Sequence, residues 1–433
     1  MLSRSALTLE SEVGAIEPGG ATRLDSGVLT VGCEEIQALA VTSPHVRSCR
    51  VTLVRPGERV RLVHVLDSVR PVCSAEGRLE GAFPGLVSPP ATIGAGGDTV
   101  DLNGVVVTTV GCVPPVDSFL KQQEGILDMV GPGAALSPLT EQFHVVLDLE
   151  PNPGSASTDV AASFRRVAAM TAELLASAAL DAVPDSVRPG RDPRQQAATL
   201  RLAHICEVSA FGSMFDTLVA GRSVIGSLPT PISLASLDRG AVVSADYHYA
   251  GQRNLTCHYQ RNPVADAISK LFRPDEVSLV STILLPVGRS NEEKEVGAAY
   301  AAHLAASYGA DGAVVTAVAG GNAHLDVMFA VRACERRGIR AALSLVEMAG
   351  PAGADPGMVD TVPEADLLVS TGNREQLIDL PEIERVLGGN RLFDGPAEEG
   401  GGADAIGRLR VPLRALIGVN NEMGAWTVGA KAS

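Results

Sequence analysis

The sequence predicts a mixed α/β protein: a β-rich N-terminal domain followed by α/β segments with a mainly parallel sheet. Two observations carry that prediction. Residues 1–150 hold short β-branched runs separated by Gly, Pro and Asp, and from about residue 275 strand-like runs alternate with helical ones. A third observation sets the scale. With 433 residues, 45% of them hydrophobic and only 3% aromatic, the chain can bury a large core, and that core must be aliphatic.

Taken in order, "GVLTV", "RVTLVRPG", "RVRLVHVLDSVRPV", "TVDLNGVVVTTV" and "FHVVLDLEP" have strand composition and turn punctuation. Few helical patterns interrupt them, so an antiparallel or barrel-like arrangement is expected for 1–150. Residues 158–181 are rich in Ala and Leu and predict a helix, with Thr158 and Asp159 offered as its cap. Within 151–274, that helix is followed by a polar loop at 185–196 and then by strands in "LRLAHICEVSAFGSM" and "RGAVVSADY". Residues 275–433 read as a Rossmann-like α/β domain. "EVSLVSTILLPV", "GAVVTAV", "IRAALSLVEM" and "ADLLVSTGN" are its strands, and the helices between them start at "NEEKEV" and "AHLDVM". Gly309 and Gly338 stand where helix C-caps belong. The stretch 394–404 reads as an exposed acidic loop before a last strand near "LRVPLRALIG".

Charge and cysteine usage narrow the function classes. A formal net charge of -15 repels nucleic acid backbones, so no nucleic-acid partner is expected. No run of eighteen apolar residues is present, so no membrane-spanning helix is expected, and the start has no secretory pattern. The seven cysteines are odd in number and scattered, with no C-x-x-C. That argues against a disulfide framework and against a cysteine-rich metal centre, and it fits a reducing cytoplasmic location.

Candidate sites fall in two places. In α/β sheets, ligands bind beyond the carboxyl ends of the strands. Here those loops are "AGGNAH" (319–324), "VEMAGPAG" (346–353) and "STGNRE" (370–375), which offer Asn322, His324, Glu347 and Asn373 as substrate ligands. Ordinary capping and turn chemistry would explain the same residues. None of the loops carries a dinucleotide or Walker fingerprint, so neither NAD nor ATP is expected. The second place is "SADYHYAGQRNLTCHY" (244–259), which holds three of the five tyrosines, two of the eight histidines and one of the cysteines. Asp246 and His248 alternate and can pair as an oriented acid–base dyad. Cys257 and His258 are adjacent, which on a strand would put them on opposite faces. His204 and Cys206 alternate on a strand and read as buried core groups.

"VRPGERVRLVHVLDSVRP" (54–71), "QEGILDMVGPGA" (123–134), "RGAVVS" (239–244), "RNPV" (261–264), "STGN" (370–373) and "IGVNNEMG" followed by "AKAS" together resemble the precursors of the component B subunits of glycine, sarcosine and betaine reductases. The D-proline reductase proprotein is similar more distantly. The resemblance runs in order over nearly the whole chain, and it adds Glu124, within "QEGILDMVGPGA", to the substrate-binding candidates.

The resemblance implies a subunit of a hetero-oligomeric oxidoreductase complex whose partner carries a catalytic cysteine or selenocysteine. It also implies a proprotein that cuts itself before a cysteine and converts that cysteine to a pyruvoyl group able to bind a substrate amine. Aligned on Gly240–Ser244 and Asn262-Pro263, the family's Asn-Cys pair falls on Asp246-Tyr247, and its second cysteine on Gly251. Tyrosine has no leaving group at Cβ, so on this register no pyruvoyl forms.

Three readings stay open. One is an uncleaved substrate-binding subunit with Asp246, Tyr247 and His248 lining the site and no cofactor. The second is a chain processed at Thr256-Cys257, ten residues downstream of Tyr247, with a pyruvoyl group made from Cys257. The third is a scaffold or small-molecule binding subunit without chemistry of its own.

Overall fold

The computed structural model describes residues 7–76, 82–89, 97–114, 123–189, 198–212, 214–247, 254–393 and 400–425. His248 lies outside these residues, as do Gly251, most of the polar loop at 185–196 and most of the acidic loop at 394–404.

Two four-stranded sheets and one long helix build the N-terminal part. One sheet runs in the order Val46–Val54, Phe143–Pro151, Val105–Val110, Val65–Val69. The other runs Ser186–Pro189, Leu7–Glu12, Thr99–Asn103, Val72–Ser74. The expectation of an antiparallel or barrel-like arrangement needs correction, because both sheets are mixed. Val105–Val110 pairs parallel with Phe143–Pro151, and Leu7–Glu12 pairs parallel with Thr99–Asn103. Parallel neighbours require a long return connection, and residues 111–142 supply one between Val110 and Phe143.

The helix Ser157–Ser177 packs into this core through Val160, Phe164, Val167, Ala168, Ala172 and Leu175. Its N-cap is Ala156 with no side-chain cap, so Thr158 and Asp159 are not the cap expected of them. Asp159 sits instead in the first turn, where its charge suits the positive end of the helix dipole.

A six-stranded sheet forms the second half, in the order Thr230–Ile232, Val277–Pro286, Leu200–Val208, Gly312–Thr316, Arg340–Glu347, Leu368–Asn373. Every pairing is parallel except the edge pair with Thr230–Ile232. Helices Asn291–Ser307 and His324–Glu335 connect its strands. All ten residues of Val277–Pro286 are buried, as befits a strand covered on both faces. The first helix is capped by Ser290, whose hydroxyl accepts from Glu293 N. Gly309 and Gly338 follow the two helices with φ of 73° and 75°, the left-handed turn that ends a helix with little strain only at glycine. All five parallel strands present their carboxyl ends on one side.

The two halves are laced together by chain segments that cross between them. Arg385–Leu387 pairs with Val60–Leu62, which also pairs with Leu127–Asp128. Within that small sheet Arg61 is fully buried, and its guanidinium grips Asp128 with two bonds, Nε to Oδ1 at 2.6 Å and an Nη to Oδ2 at 2.9 Å. Its other donors reach the carbonyls of Ala405 at 2.7 Å and Pro381 at 2.8 Å. A forked pair like this fixes geometry more than it adds stability, but losing one partner strands a buried charge. Asp128→Ala is therefore expected to cost about 3–5 kcal/mol, read as a lower urea midpoint. Replacing both partners with apolar residues of similar volume should recover most of that loss.

Candidate functional site

Residues 242–247 and 254–262 lie along the junction of the two halves, and each half holds them by a different set of bonds. After strand Val242–Ser244 the chain continues through Ala245, Asp246 and Tyr247. It then forms the short helix Thr256–Gln260 and enters helix Pro263–Leu271. Asn262 caps that last helix by accepting from Ala265 N at 3.1 Å, and Pro263 fills its first position, where a missing N–H costs nothing.

On the N-terminal side the anchor is Asp67. Its Oδ1 accepts from Thr256 N at 2.9 Å and Ser68 N at 2.8 Å, and its Oδ2 accepts from the Thr256 hydroxyl at 2.6 Å. Thr256 Oγ1 in turn accepts from Ser244 N at 3.0 Å, so one threonine joins Asp67 to both ends of the segment. One turn further on, Gln260 exchanges bonds with the backbone of Arg70, accepting from its N at 2.8 Å and donating to its O at 3.1 Å. Arg70 itself is held by Asp101 at 2.8 Å and Asn103 at 2.7 Å.

On the other side the segment meets the carboxyl end of the parallel sheet and the "NNEMG" motif (420–424). Asp246 is buried, and its Oδ2 accepts from Ser209 Oγ at 3.1 Å. Asn421 donates to Asn254 Oδ1 at 2.7 Å and approaches His258 Nδ1 at 3.2 Å, a nitrogen that also accepts from Leu255 N at 3.2 Å. Asn262 approaches His204 Nδ1 at 3.3 Å, and the other ring nitrogen of His204 lies 2.9 Å from Thr316 Oγ1. Burial lowers His204 to about 3 and His258 to about 4, so both rings are neutral near pH 7.

The candidate residues of 244–259 therefore part company. Asp246 faces the parallel sheet. Tyr247 turns the other way into the N-terminal aliphatic core, where the Arg165 guanidinium lies 5.3 Å from its ring centre and burial raises its hydroxyl. Tyr259, rather than Tyr247, shares the surroundings of Asp246, Asn254 and Cys206. Cys257 and His258 sit on a helix, not a strand. Cys257 enters an apolar cluster with Val65, Leu127 and Ile417, and burial drives its thiol upward, with the charge of Asp67 adding to that.

The strand-end loops come together as their positions at the sheet imply. Glu347 and Asn373 pair across neighbouring strands, and Ser370 donates to the Glu347 carboxylate. Asn373 staples the following loop, donating to Gly350 O at 2.7 Å and accepting from Ala349 N at 3.3 Å. His324 opens its helix fully buried, lowered to about 4 by burial and by the charge of Arg374. Asn322 is exposed in the preceding turn. Glu124 meets a different set of residues: its Oε1 accepts from His64 N at 2.7 Å and lies 3.1 Å from His64 Nδ1.

Sequence reading missed a buried ionic group behind these loops. Glu207 accepts from Val318 N at 2.9 Å, and Lys294 is paired with Asp326, whose other oxygen accepts from Gly288 N at 2.8 Å. Burial, reinforced by the charge of Asp326, pushes Glu207 well above the usual carboxylate range. No spacing rule links residues 207, 294 and 326; only the parallel sheet brings them together. Among the described residues, no group of three or more His, Cys, Asp or Glu side chains is arranged to hold a metal ion. Among them, too, no helix is long and apolar enough to cross a membrane.

Asp67 offers a test by pH. Burial raises it from 3.8 to about 7 against the lowering effect of its bonds to Thr256 and Ser68. Between those values the folded chain keeps a proton that the unfolded chain has lost, so this group's contribution to stability declines as pH rises from about 4 to about 7. The urea midpoint of the parent is expected to fall relative to that of Asp67→Asn between pH 4.5 and 7.5. Parallel profiles would remove Asp67 as the titrating group.

Comparison with known proteins follows the same lines. Residues 7–431 match the family described as glycine/sarcosine/betaine reductase component B subunits. The chain is 30% identical over 428 residues to the glycine reductase complex component B subunits alpha and beta of Acetoanaerobium sticklandii, covering 96% of this chain and 97% of that one. It is also 30% identical over 380 residues to the sarcosine reductase complex component B subunit alpha of Peptoclostridium acidaminophilum, covering 86% of each. The betaine reductase complex component B subunit alpha of the same organism is 25% identical over 386 residues, covering 86% of this chain and 84% of that one. No solved structure matches. With its anchoring motifs meeting at one junction and the match running almost end to end, the chain belongs to the glycine/sarcosine/betaine reductase component B subunit family.

Proposed function

We propose that this chain is the substrate-binding subunit of a reductase complex of the component B type and that it works uncleaved, without a pyruvoyl group. The observation that carries the proposal is Tyr247. At the position where the family's chemistry calls for cysteine, this chain has a side chain with no leaving group at Cβ, and that side chain is packed into the aliphatic core. The residues there do not fit a pyruvoyl group.

Cys257 is a poor substitute for three physical reasons. Its thiol is buried and raised by burial. The peptide bond before it lies within a helical turn whose Thr256 N is tied to Asp67. His258, the nearest candidate base, already has Nδ1 engaged by Leu255 N and Asn421. An acyl shift needs a strained peptide, an accessible thiol and a base within reach.

On this reading a small substrate is held at the carboxyl side of the parallel sheet, near Asn322, His324, Glu347 and Asn373. Asp246 stands at the inner wall, with His248 following it in the chain. Buried Glu207 and the Lys294–Asp326 pair set the polarity behind the loops. The reacting thiol or selenol comes from a partner subunit in a hetero-oligomer. The names of the relatives, which are subunits of glycine, sarcosine and betaine reductase complexes, support a small amino-acid-derived substrate.

Intact-mass measurement of the purified protein is expected to give one species near 44.7 kDa. Two fragments that sum to it, with a new N-terminus labelled by hydrazine, would instead support processing at Thr256-Cys257. The scaffold reading is separated by Asp246→Asn and Glu347→Gln: both are expected to reduce activity of the assembled complex, and full activity in both would leave only a scaffold.

A further inference from the structure

We propose that His258 and Asn254 hold the carboxylate of a small zwitterionic ligand, through the Nε2–H of the imidazole and the Nδ2–H of the amide. The proposal rests on the substrate-binding reading above and names the residues that take the ligand's anionic end.

Backbone donors fix the direction of the hydrogen bonds around these two side chains. Met423 N donates to Asn421 Oδ1 at 3.1 Å and Ala425 N does so at 3.3 Å, so the other end of that amide, Nδ2, is turned toward acceptors. It donates to Asn254 Oδ1 at 2.7 Å and faces His258 Nδ1 at 3.2 Å. Leu255 N donates to the same Nδ1, also at 3.2 Å. A ring nitrogen that accepts carries no proton, so the hydrogen of the imidazole sits on Nε2. By the same logic Asn254, with its oxygen taken, is left with the donors of Nδ2.

Neither donor is used. His258 Nε2 and Asn254 Nδ2 are buried without a hydrogen-bond partner, in residues only 5% and 1% exposed. Asn254 acts on the Tyr259 hydroxyl without completing a hydrogen bond to it. A stranded donor is costly in a medium of low dielectric. Two of them, tied to one asparagine, suit an acceptor with two oxygens.

The fold puts them where a ligand enters. In the parallel sheet, Val277–Pro286 lies on one side of Leu200–Val208 and Gly312–Thr316 on the other, so the progress of the chain across the sheet reverses at Leu200–Val208. One helical layer covers one face through Ala298, Ala301, Val327 and Val331, while the connection carrying Tyr259 and Ala265 packs with Cys206 and Leu284. Open α/β sheets bind ligands beyond the carboxyl ends of the strands at such a reversal. Two contacts tie the donors to that place. Ser209, directly after Leu200–Val208, donates to Asp246 at 3.1 Å, and Cys206 Sγ lies 3.7 Å from the sulfur of Met423, two residues from Asn421.

Charge selects the class of ligand. Both donors are neutral, and the acid Asp246 shares their surroundings, since Tyr259 senses Asp246 and Asn254 alike. A plain anion would bring a second negative group beside Asp246 with no cation to offset it. A zwitterion avoids this, with its carboxylate on the two N–H groups and its cationic nitrogen toward Asp246.

The test is isothermal titration of the full chain with glycine, N-methylglycine and N,N,N-trimethylglycine, each beside its primary amide, and with acetate. At least one of the three acids is expected to bind, with its amide and acetate each about tenfold to 100-fold weaker. His258→Asn keeps an acceptor for Leu255 N and removes the donor at Nε2. Asn254→Asp, nearly isosteric, keeps the oxygen for Asn421 and removes the donors of Nδ2. Each variant is expected to weaken the acid by about tenfold to 100-fold and to close its gap from the amide. A urea midpoint near that of the parent reports that a variant is folded, and the comparison of acid with amide needs no variant. Acid and amide bound alike, acetate bound as tightly as the acid, or acid binding within about twofold of the parent in both variants overturns the proposal and leaves the substrate-binding reading standing. Binding of none of the acids, with the two donors served by an internal water only, overturns it too; reduced activity of the complex carrying Asp246→Asn would then still uphold the substrate-binding reading.

Discussion

Four ionisable side chains on one short stretch, Arg61, His64, Asp67 and Arg70, are all buried, between 0% and 7% exposed. A buried charge is tolerated only when it is paired or hydrogen-bonded, so each of these imposes a demand on a distant part of the chain. Arg61 takes Asp128, His64 takes Glu124, Asp67 takes Thr256 and Arg70 takes Asp101. The motifs at 123–134 and 239–264 have the residues they have because they answer the stretch 54–71. Those three segments share one junction, and the two halves of the molecule meet over it.

The same constraint explains why the junction suits chemistry. Polar groups placed there to satisfy neighbours remain in a medium of low dielectric, where protonation states depart from those in water. Burial strips the charge from His204 and His258 and pushes Glu207 well above the usual carboxylate range. Tyr247 is the exception. It joins the aliphatic core and takes an arginine against its ring. Its bulk is spent on packing, with the side chain 1% exposed.

The fold's two halves differ in how they use their sheets. The N-terminal sheets bury one helix among aliphatic side chains and carry the anchoring charges along a strand. The parallel sheet leaves its carboxyl ends open to loops and then closes them partly with "NNEMG", whose Asn420 and Asn421 bond to Thr371 and Asn254. A C-terminal motif thus meets partners 49 and 167 residues earlier in the chain.

By itself the sequence determined the fold class, the alternating strands and helices after residue 275, the glycine stops at Gly309 and Gly338, and the loops at the strand ends. These are local properties: apolar periodicity, propensity and turn chemistry act over a few residues. It also marked 244–259 as unusual, with three of the five tyrosines in sixteen residues. Tertiary structure alone decided the parallel pairing inside the N-terminal sheets, the separation of Asp246 from Tyr247, and the helix under Cys257 and His258. It alone brought Glu207 to Lys294 and Asp326, and Glu124 to His64. The reason is physical. Burial and pairing of charge join residues far apart in sequence, and no local pattern records which distant group will satisfy a carboxylate once water has been removed from around it.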